Sequence, residues 1–175
     1  INAEKGNPMY LPGVSLDKGI VATGDISEAI AQSQVVFSVV PSQFFRSVAE
    51  KIALNIDPGT PLVICSKGIE VETGALMTEI AGEIIQKNPV LVLSGPSFAH
   101  EAIAGSPTAV ALAGTNLKDA EIITSLIGTS RFRPYPMDDR IGAEVGGAAK
   151  NVLAIACGIV VGREMGDNTR AALIT

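Results

Sequence analysis

The 175-residue sequence predicts an α/β fold, in which a mostly parallel sheet is followed by helices. Up to Tyr135, short apolar runs alternate with segments of helical periodicity, which is typical of right-handed βαβ units. After Tyr135 no further strand signal occurs, and one long helical segment follows. We therefore place a domain boundary near Pro136, with residues 1–136 in the sheet domain and residues 137–175 at the start of an all-α domain.

The individual elements follow from local patterns. Strands are predicted from short runs of Val, Ile, Leu, Phe and Ala at residues 20–23, 35–40, 62–65, 90–93 and 109–112, with an extended segment at 131–135. Helices are predicted at residues 25–33, 42–55, 73–86, 98–104 and 117–127, and from Asp138 to about Val161. Asp25 and Glu28 have capping-box spacing, which marks the first helix start. Residues 1–19, which contain two prolines and three glycines, are expected to form a loop.

Composition excludes several classes of protein. Thirteen basic against eighteen acidic residues leave a net charge of −5, which argues against a nucleic-acid binder and an anionic-membrane binder. An apolar content of 47% with 18% charged residues argues against disorder. Cys65 and Cys157 lie in apolar runs. This favours two buried free thiols in a protein of a reducing compartment, and the alternative is a disulfide between them. The cytoplasm is therefore the expected location.

The segment between Glu144 and Arg163 has the length of a bilayer helix and only one charge, Lys150. A lysine in mid-membrane is costly, and four glycines dilute the apolar content of the segment. We therefore expect a buried helix of a globular domain and no membrane span.

Polar turns follow three of the predicted strands, at residues 41–44, 66–68 and 94–99. The carboxyl ends of parallel strands share one edge of a sheet, where ligands bind. Lys67 supplies the fixed positive charge among these turns, Gly95 permits close approach of a ligand to the backbone, and Ser97 offers a hydroxyl. The alternative is that these are ordinary turns, in which Gly, Pro and Ser are common.

Lys150 is the most informative single residue. Its neighbours one helical turn away are small or apolar, so none pairs with its charge: Gly146, Gly147, Leu153 and Ala154. We expect Lys150 to be desolvated, and burial lets a lysine exchange protons near neutral pH. The alternative is a lysine whose stem lies on apolar neighbours while its ammonium group reaches water.

Other signals do not support a site. His100 is the single histidine and lies beside Glu101, which is too few ligands for a metal. Neither the Gly-x-Gly-x-x-Gly pattern nor a phosphate loop with Gly-Lys-Ser/Thr occurs. The bases and aromatics at residues 131–135 are interpreted as a solvated strand edge.

Taken in order, the turns and the lysine helix resemble the NAD(P)-dependent glycerol-3-phosphate dehydrogenase family, most closely its bacterial type. The matching motifs are Tyr-Leu-Pro-Gly at 10–13, Val-Pro-Ser-Gln at 40–43, Ser-Lys-Gly at 66–68, Ser-Gly-Pro-Ser-Phe-Ala at 94–99, Pro-Thr-Ala at 107–109, Arg-Phe-Arg at 131–133, Gly-Gly-Ala-Ala-Lys-Asn at 146–151 and Gly-Asp-Asn-Thr-Arg-Ala-Ala-Leu at 166–173. Each motif is weak alone, but the ordered set is specific.

The resemblance implies a Rossmann-like sheet and an oxidoreductase that interconverts sn-glycerol 3-phosphate and dihydroxyacetone phosphate, with NAD or NADP, for glycerophospholipid synthesis. By position, Lys150 matches the proton acceptor, which also contacts substrate, and Lys67 matches a lysine that touches substrate and cofactor. Gly95 and Ser97 match substrate-site positions, and Asn151 is a further expected substrate contact.

Two more positions, Phe44 and Ala99, match residues that line the dinucleotide in the family. Family members are commonly dimers, so a homodimer is the expected assembly. The chain departs from the family at Val161, where Asp is usual. The family's glycine-rich loop belongs before Ile1 and its phosphate-binding arginine after Thr175, so the chain resembles the middle of the enzyme.

Two alternatives remain. One is a dehydrogenase of the same superfamily that acts on another hydroxy acid. The other is a dinucleotide- or phosphate-binding module without catalysis. Such a module does not require a buried Lys150.

Overall fold

The computed structural model describes all 175 residues. The strands are β1 (Gly6–Asn7), β2 (Leu11–Ser15), β3 (Val36–Ser38), β4 (Leu62–Ile64), β5 (Val90–Ser94), β6 (Thr108–Gly114) and β7 (Phe132–Met137). The helices are α1 (Ile26–Ile30), α2 (Phe45–Ala53), α3 (Met77–Ile84), α4 (Ala99–Ile103), α5 (Leu117–Ile127), α6 (Arg140–Gly162) and α7 (Asp167–Ile174). A single 3₁₀ turn, Ser42–Phe44, leads into α2.

Five of the strands form one sheet in the order β3-β4-β5-β6-β7. The first three are mutually parallel, β6 runs antiparallel to β5, and β7 is parallel to β6. The prediction of a mostly parallel sheet followed by helices is therefore confirmed. Because β3, β4 and β5 run the same way, their carboxyl ends share one edge with the start of β6.

Strand β4 shows how the core is divided. All three of its residues are buried, which is typical of a strand covered on both faces. Leu62 and Ile64 pack in a cluster with residues of α2 and α3, whereas Val63 packs with Leu91 and residues of α5 on the other face. Burial of each such side chain contributes about 1.5–3 kcal/mol, so helices on both sides hold the sheet edge rigid.

Two predictions for the first part of the chain are wrong. Residues 1–19 are not only loop, because β1 and β2 form an antiparallel pair. Residues 20–23 are not a strand, because their backbone pairs with no strand of either sheet. Instead, the side chain of Asn2 pairs with the backbone of Ala22, with both of its hydrogen bonds at 2.7 Å.

Helix α6 begins where the sequence predicts, since the Asp139 side chain caps it by accepting from the Gly142 N–H at 2.8 Å. The expected burial of this helix is wrong, because only 11% of its most apolar 18-residue stretch is buried. Its inner face packs on β5 and β6, and no other element covers most of the opposite face. By length and composition alone, α6 is the one helix able to cross a membrane.

Candidate functional site

The three polar turns meet at one edge of the sheet, because β3, β4 and β5 are parallel and in register. The turns also contact one another. The Ser66 hydroxyl donates to the Val40 carbonyl at 2.5 Å, and the amide of Gln43 bonds the backbone of Ile69 and Val71. This prediction from the sequence is therefore confirmed, and the turns form one connected surface.

A pocket of about 660 Å³ lies on this surface. Its walls are the end of β5, the facing parts of β6 and β7, and the N-terminal half of α6. Three residues that the sequence singled out, Lys67, Gly95 and Lys150, line it together although they are far apart in the chain. Tyr135 and Asp139 line it as well and were not predicted.

Lys67 is fixed in this pocket by its amine, which donates to the Gly95 carbonyl at 2.8 Å. Burial lowers the pKa of Lys67 from its ordinary value, and the positive charge of Lys150 lowers it further. The two ammonium groups are therefore close enough to repel each other.

The closeness of these elements depends on two glycines. Gly95 has a φ of +151°, and a Cβ there would lie 3.0 Å from the Val110 Cα. At Gly147 in α6, a Cβ would lie 2.7 Å from the Ser94 Oγ. Helix α6 can therefore lie directly against the end of β5, which carries Lys150 to the pocket.

Lys150 itself is exposed, so the expectation that it is desolvated is wrong for this chain. The reason is that Lys150 lies at the pocket rim, where α6 has no covering element on its outer side. Its Nζ lies 5.5 Å from the centroid of the Phe98 ring, a cation–π contact.

Neither lysine has a carboxylate partner, because the four ion pairs of the chain lie elsewhere. Two unpaired ammonium groups beside one pocket attract an anion such as a phosphate monoester. No group of three or more His, Cys, Asp or Glu side chains is placed to hold a metal ion. The chemistry available here is anion binding and proton transfer by an amine.

Sequence reasoning missed Glu144, which ties α6 to α3. This carboxylate is buried and accepts from the Thr78 N–H at 3.0 Å and from the Thr78 hydroxyl. Thr78 lies in the first turn of α3, where a negative charge is favourable. An isolated acid within an apolar helix was the signal that could have found it.

The other predicted site residues lie outside the pocket walls. Ser97 lies between β5 and α4, Ala99 is the first residue of α4, and Phe44 ends the turn after β3 with 63% of its surface exposed. Asn151 follows Lys150 on α6 and is exposed. Their roles in binding substrate or dinucleotide remain predictions.

Comparison with known families gives two matches that divide the chain in order. Residues 1–120 match the model of the NAD-dependent glycerol-3-phosphate dehydrogenase N-terminus, and residues 139–175 match that of the C-terminus. A curated relative, glycerol-3-phosphate dehydrogenase (NAD(P)+) of Rhodospirillum rubrum, is 51% identical over 176 residues, which covers 100% of this chain and 50% of the relative. The chain spans about half the length of these curated relatives, which include the corresponding enzyme of Parvibaculum lavamentivorans.

Solved structures give the same result. The glycerol-3-phosphate dehydrogenase of Coxiella burnetii superposes with a TM-score of 0.89 at 36% identity, over 99% of this chain and 53% of that one. The enzyme of Saccharomyces cerevisiae gives a TM-score of 0.86 at 26% identity, over 98% and 52%. With a family model matched over most of its length and the predicted motifs in order, the chain belongs to the NAD-dependent glycerol-3-phosphate dehydrogenase family.

Proposed function

We propose that the protein interconverts sn-glycerol 3-phosphate and dihydroxyacetone phosphate by hydride transfer with NAD or NADP. The observation that carries this proposal is the pair of unpaired lysines, Lys67 and Lys150, on one pocket at the carboxyl edge of the sheet. Membership in the family, and the names of relatives at about half identity, support the same reaction.

Lys150 acts as the proton donor and acceptor in this proposal. In reduction, its ammonium group polarises the C2 carbonyl and gives a proton to the oxygen while a hydride reaches the carbon. In oxidation, the neutral amine takes the hydroxyl proton as the hydride leaves. Its place on α6, held by the close contact at Gly147, presents the amine at the pocket rim.

Lys67 supplies a second positive charge to the anionic substrate, and its bond to the Gly95 carbonyl fixes its direction. Gly95, Ser97 and Asn151 are the remaining substrate contacts we propose. A backbone approach at Gly95 is possible because this residue has no side chain.

The residues present fit a nicotinamide cofactor, which takes or gives the hydride when it is bound. Phe44 exposes an aromatic ring beyond β3, and Ala99 has only a methyl group beyond β5, so a flat ring can lie along this edge. Lys67 lies between them on the middle strand's turn. These three residues are the cofactor contacts we propose.

The wider proposals follow from the same family. The reaction supplies precursors of glycerophospholipids, and the protein is a cytoplasmic homodimer. Its dinucleotide-binding domain includes residues 1–136, and its helical substrate domain begins with residues 137–175. We also propose that α6 is not a membrane span. The buried bond of Glu144 to Thr78 and the contact of Gly147 with Ser94 support this, because both attach the helix to the sheet domain.

One observation favours a different function. Lys150 is exposed in this chain, as expected for a phosphate- or dinucleotide-binding module without catalysis. The two functions differ in a single readout, because a binding module retains ligand yet transfers no hydride with any substrate.

The experiment uses the protein expressed from its complete open reading frame, with nicotinamide absorbance followed during dihydroxyacetone phosphate reduction. Replacing Lys150 with Ala is expected to lower turnover by about 10³-fold, since general acid–base catalysis contributes roughly 10²–10⁴-fold. The control is Lys118→Ala, an exposed lysine on α5. Near-normal turnover in Lys150→Ala contradicts the proposal, and a wild-type protein that binds both ligands without turnover establishes the binding module.

A further inference from the structure

Gln43 makes an unusual pair of contacts with the loop that follows β4. Its Nε2 donates to the Ile69 carbonyl at 2.8 Å, and its Oε1 accepts from the Val71 N–H at 3.1 Å. One side-chain amide thereby bonds the backbone on both sides of Glu70, as a neighbouring strand would. On its other side the loop pairs with residues 75–76, since the Glu70 N–H donates to the Ala75 carbonyl at 3.0 Å and Ile69 bridges Leu76, and Gln43 bonds the Ile69 carbonyl and the Val71 N–H.

The same stretch of chain holds the loop at two further points. Arg46 lies one helical turn after Gln43 and bonds both oxygens of Glu70 at 2.9 Å. At the near end of the loop, a Cβ on Gly68 would lie 2.5 Å from the Ser42 Oγ, so the Ser42 side chain lies directly against the Gly68 backbone. Residues 42–46 therefore hold residues 68–71 in place on one side of the loop.

Lys67 immediately precedes residues 68–71, which residues 42–46 hold in place. Its amine donates to the Gly95 carbonyl. The backbone before it is held by the bonds of Cys65 to Ser38 and of Ser66 to Val40, and the backbone after it is held through the loop that Gln43 and its neighbours bond. A shift of about 1 Å at a catalytic group costs up to roughly 10²-fold in rate. The place of the Lys67 ammonium group in the pocket therefore depends on this backbone attachment.

We propose that Gln43 is a positioning residue for Lys67, which it holds at the pocket through the backbone of Ile69 and Val71. Its catalytic consequence rests on the proposed function. Among side chains of this length, only the glutamine amide can make both bonds, because Glu lacks the donor and Met lacks both the donor and the acceptor. Arg46 cannot replace it, since Arg46 bonds the side chain of Glu70 and leaves the two peptide groups free.

The kinetic test compares Gln43→Met and Gln43→Glu in the protein from the complete open reading frame. Gln43→Met keeps the shape of the side chain and removes both bonds, and we expect kcat/KM for dihydroxyacetone phosphate to fall about tenfold. Gln43→Glu keeps the acceptor for Val71 but places a carboxylate oxygen against the Ile69 carbonyl, so its kcat/KM is also expected to fall. The KM for the nicotinamide cofactor is expected to change less than about twofold. General unfolding does not produce a fall in kcat/KM for the phosphate substrate with an unchanged KM for the cofactor.

The matched control is Gln86→Ala. Gln86 is an exposed glutamine beyond the end of α3, and its amide makes only a 3.5 Å bond to the Glu83 carbonyl. Thermal unfolding is measured for every variant. If Gln43→Met fails to fold, Gln43→Glu carries the test with the same criterion, a selective loss of kcat/KM for the phosphate substrate.

A second readout needs no substrate. The titration of Lys67 is followed by the ¹³C signal of its Cε, with Lys150 of α6 and the Cys65 thiol as the neighbouring titratable groups. Moving Lys67 away from the pocket weakens both its partial desolvation and the repulsion by Lys150, so in Gln43→Met the pKa of Lys67 is expected to rise toward its ordinary value. An unchanged titration together with unchanged kcat/KM overturns the inference. If the wild-type protein has no dehydrogenase activity, the proposed function fails, and the Lys67 titration alone decides whether Gln43 positions it.

Discussion

The loop that carries Lys67 and the helix that carries Lys150 are anchored in similar ways. Each depends on a buried glutamate near its lysine in sequence. Glu70, three residues after Lys67, is bonded by Arg46 and by the Thr73 hydroxyl. Glu144, six residues before Lys150, is bonded by the backbone and hydroxyl of Thr78.

The two lysines nevertheless differ in how their amines are held. Both lysines are exposed, but the Lys67 amine donates to the Gly95 carbonyl at the sheet edge, whereas the Lys150 amine meets only the face of Phe98. Helix α6 thus fixes the backbone of Lys150 and leaves its ammonium group without a hydrogen-bond partner. The pocket therefore carries one amine that is bonded to the backbone and one that contacts only an aromatic ring.

The largest effect that follows from this comparison is expected at Lys67. Lys67→Met removes the charge and leaves the Gly95 carbonyl without its donor, and charge-assisted hydrogen bonds contribute about 1.5–3 kcal/mol. We expect kcat/KM for dihydroxyacetone phosphate to fall about 10²-fold, measured by nicotinamide absorbance in the protein from the complete open reading frame. Lys87→Met, at an exposed position outside the pocket walls, is the control. A loss in Lys67→Met no larger than in the control contradicts a preorganised binding lysine.

A pair of adjacent glycines tests how closely α6 must lie on β5. Gly147→Ala places a methyl group 2.7 Å from the Ser94 Oγ and is expected to destabilise the protein by about 1–3 kcal/mol. Gly146→Ala meets no atom within 4 Å and is expected to stabilise it by about 0.5–1 kcal/mol, as Gly to Ala does in a helix. Urea unfolding of both variants measures the difference.

Removing the Ser94 hydroxyl should relieve the overlap, so Ser94→Ala combined with Gly147→Ala is expected to recover part of the lost stability. Equal free energies of unfolding for the two glycine variants would show that α6 does not depend on this close approach.

Much of the sheet edge was predictable because its signals are local. The core strands are short apolar runs, and the cap at Asp139 and the bounds of α5 follow from residues adjacent in sequence. Once three strands are parallel, the turns after them must meet, so Lys67 and Gly95 were placed together without any knowledge of distances.

The errors arose where the outcome depends on a distant partner. Residues 20–23 have the composition of a strand but bond the side chain of Asn2 instead. Glu144 is bonded by Thr78, which is 66 residues away in sequence, so the pattern of the helix alone does not show its partner. The pattern of α6 shows that the helix is apolar, but it cannot show whether another element covers the outer face that would bury Lys150.

The smallest expected effect concerns the pH dependence of stability. It tests Glu70, which anchors the Lys67 loop, separately from Glu144, which anchors α6. The bonds from Arg46 and Thr73 lower the pKa of Glu70 from 4.5 to about 2. Between these values the unfolded chain binds the proton more readily than the folded protein, so stability rises with pH across this window. The contribution of Glu70 is therefore fully present above about pH 4.5 and is lost as the pH falls toward 2.

Glu70→Gln is expected to flatten the dependence of the free energy of unfolding on pH within that window, measured by urea unfolding at a series of acid pH values. Glu72→Gln, an exposed neighbour whose side chain makes no ion pair, should keep the wild-type slope. Because Glu70 is ionised near neutral pH, its ion pair with Arg46 anchors the Lys67 loop there. A Glu70→Gln protein with the full wild-type slope would show that another carboxylate carries the acid sensitivity, and the loop would then be held mainly by the neutral amide of Gln43.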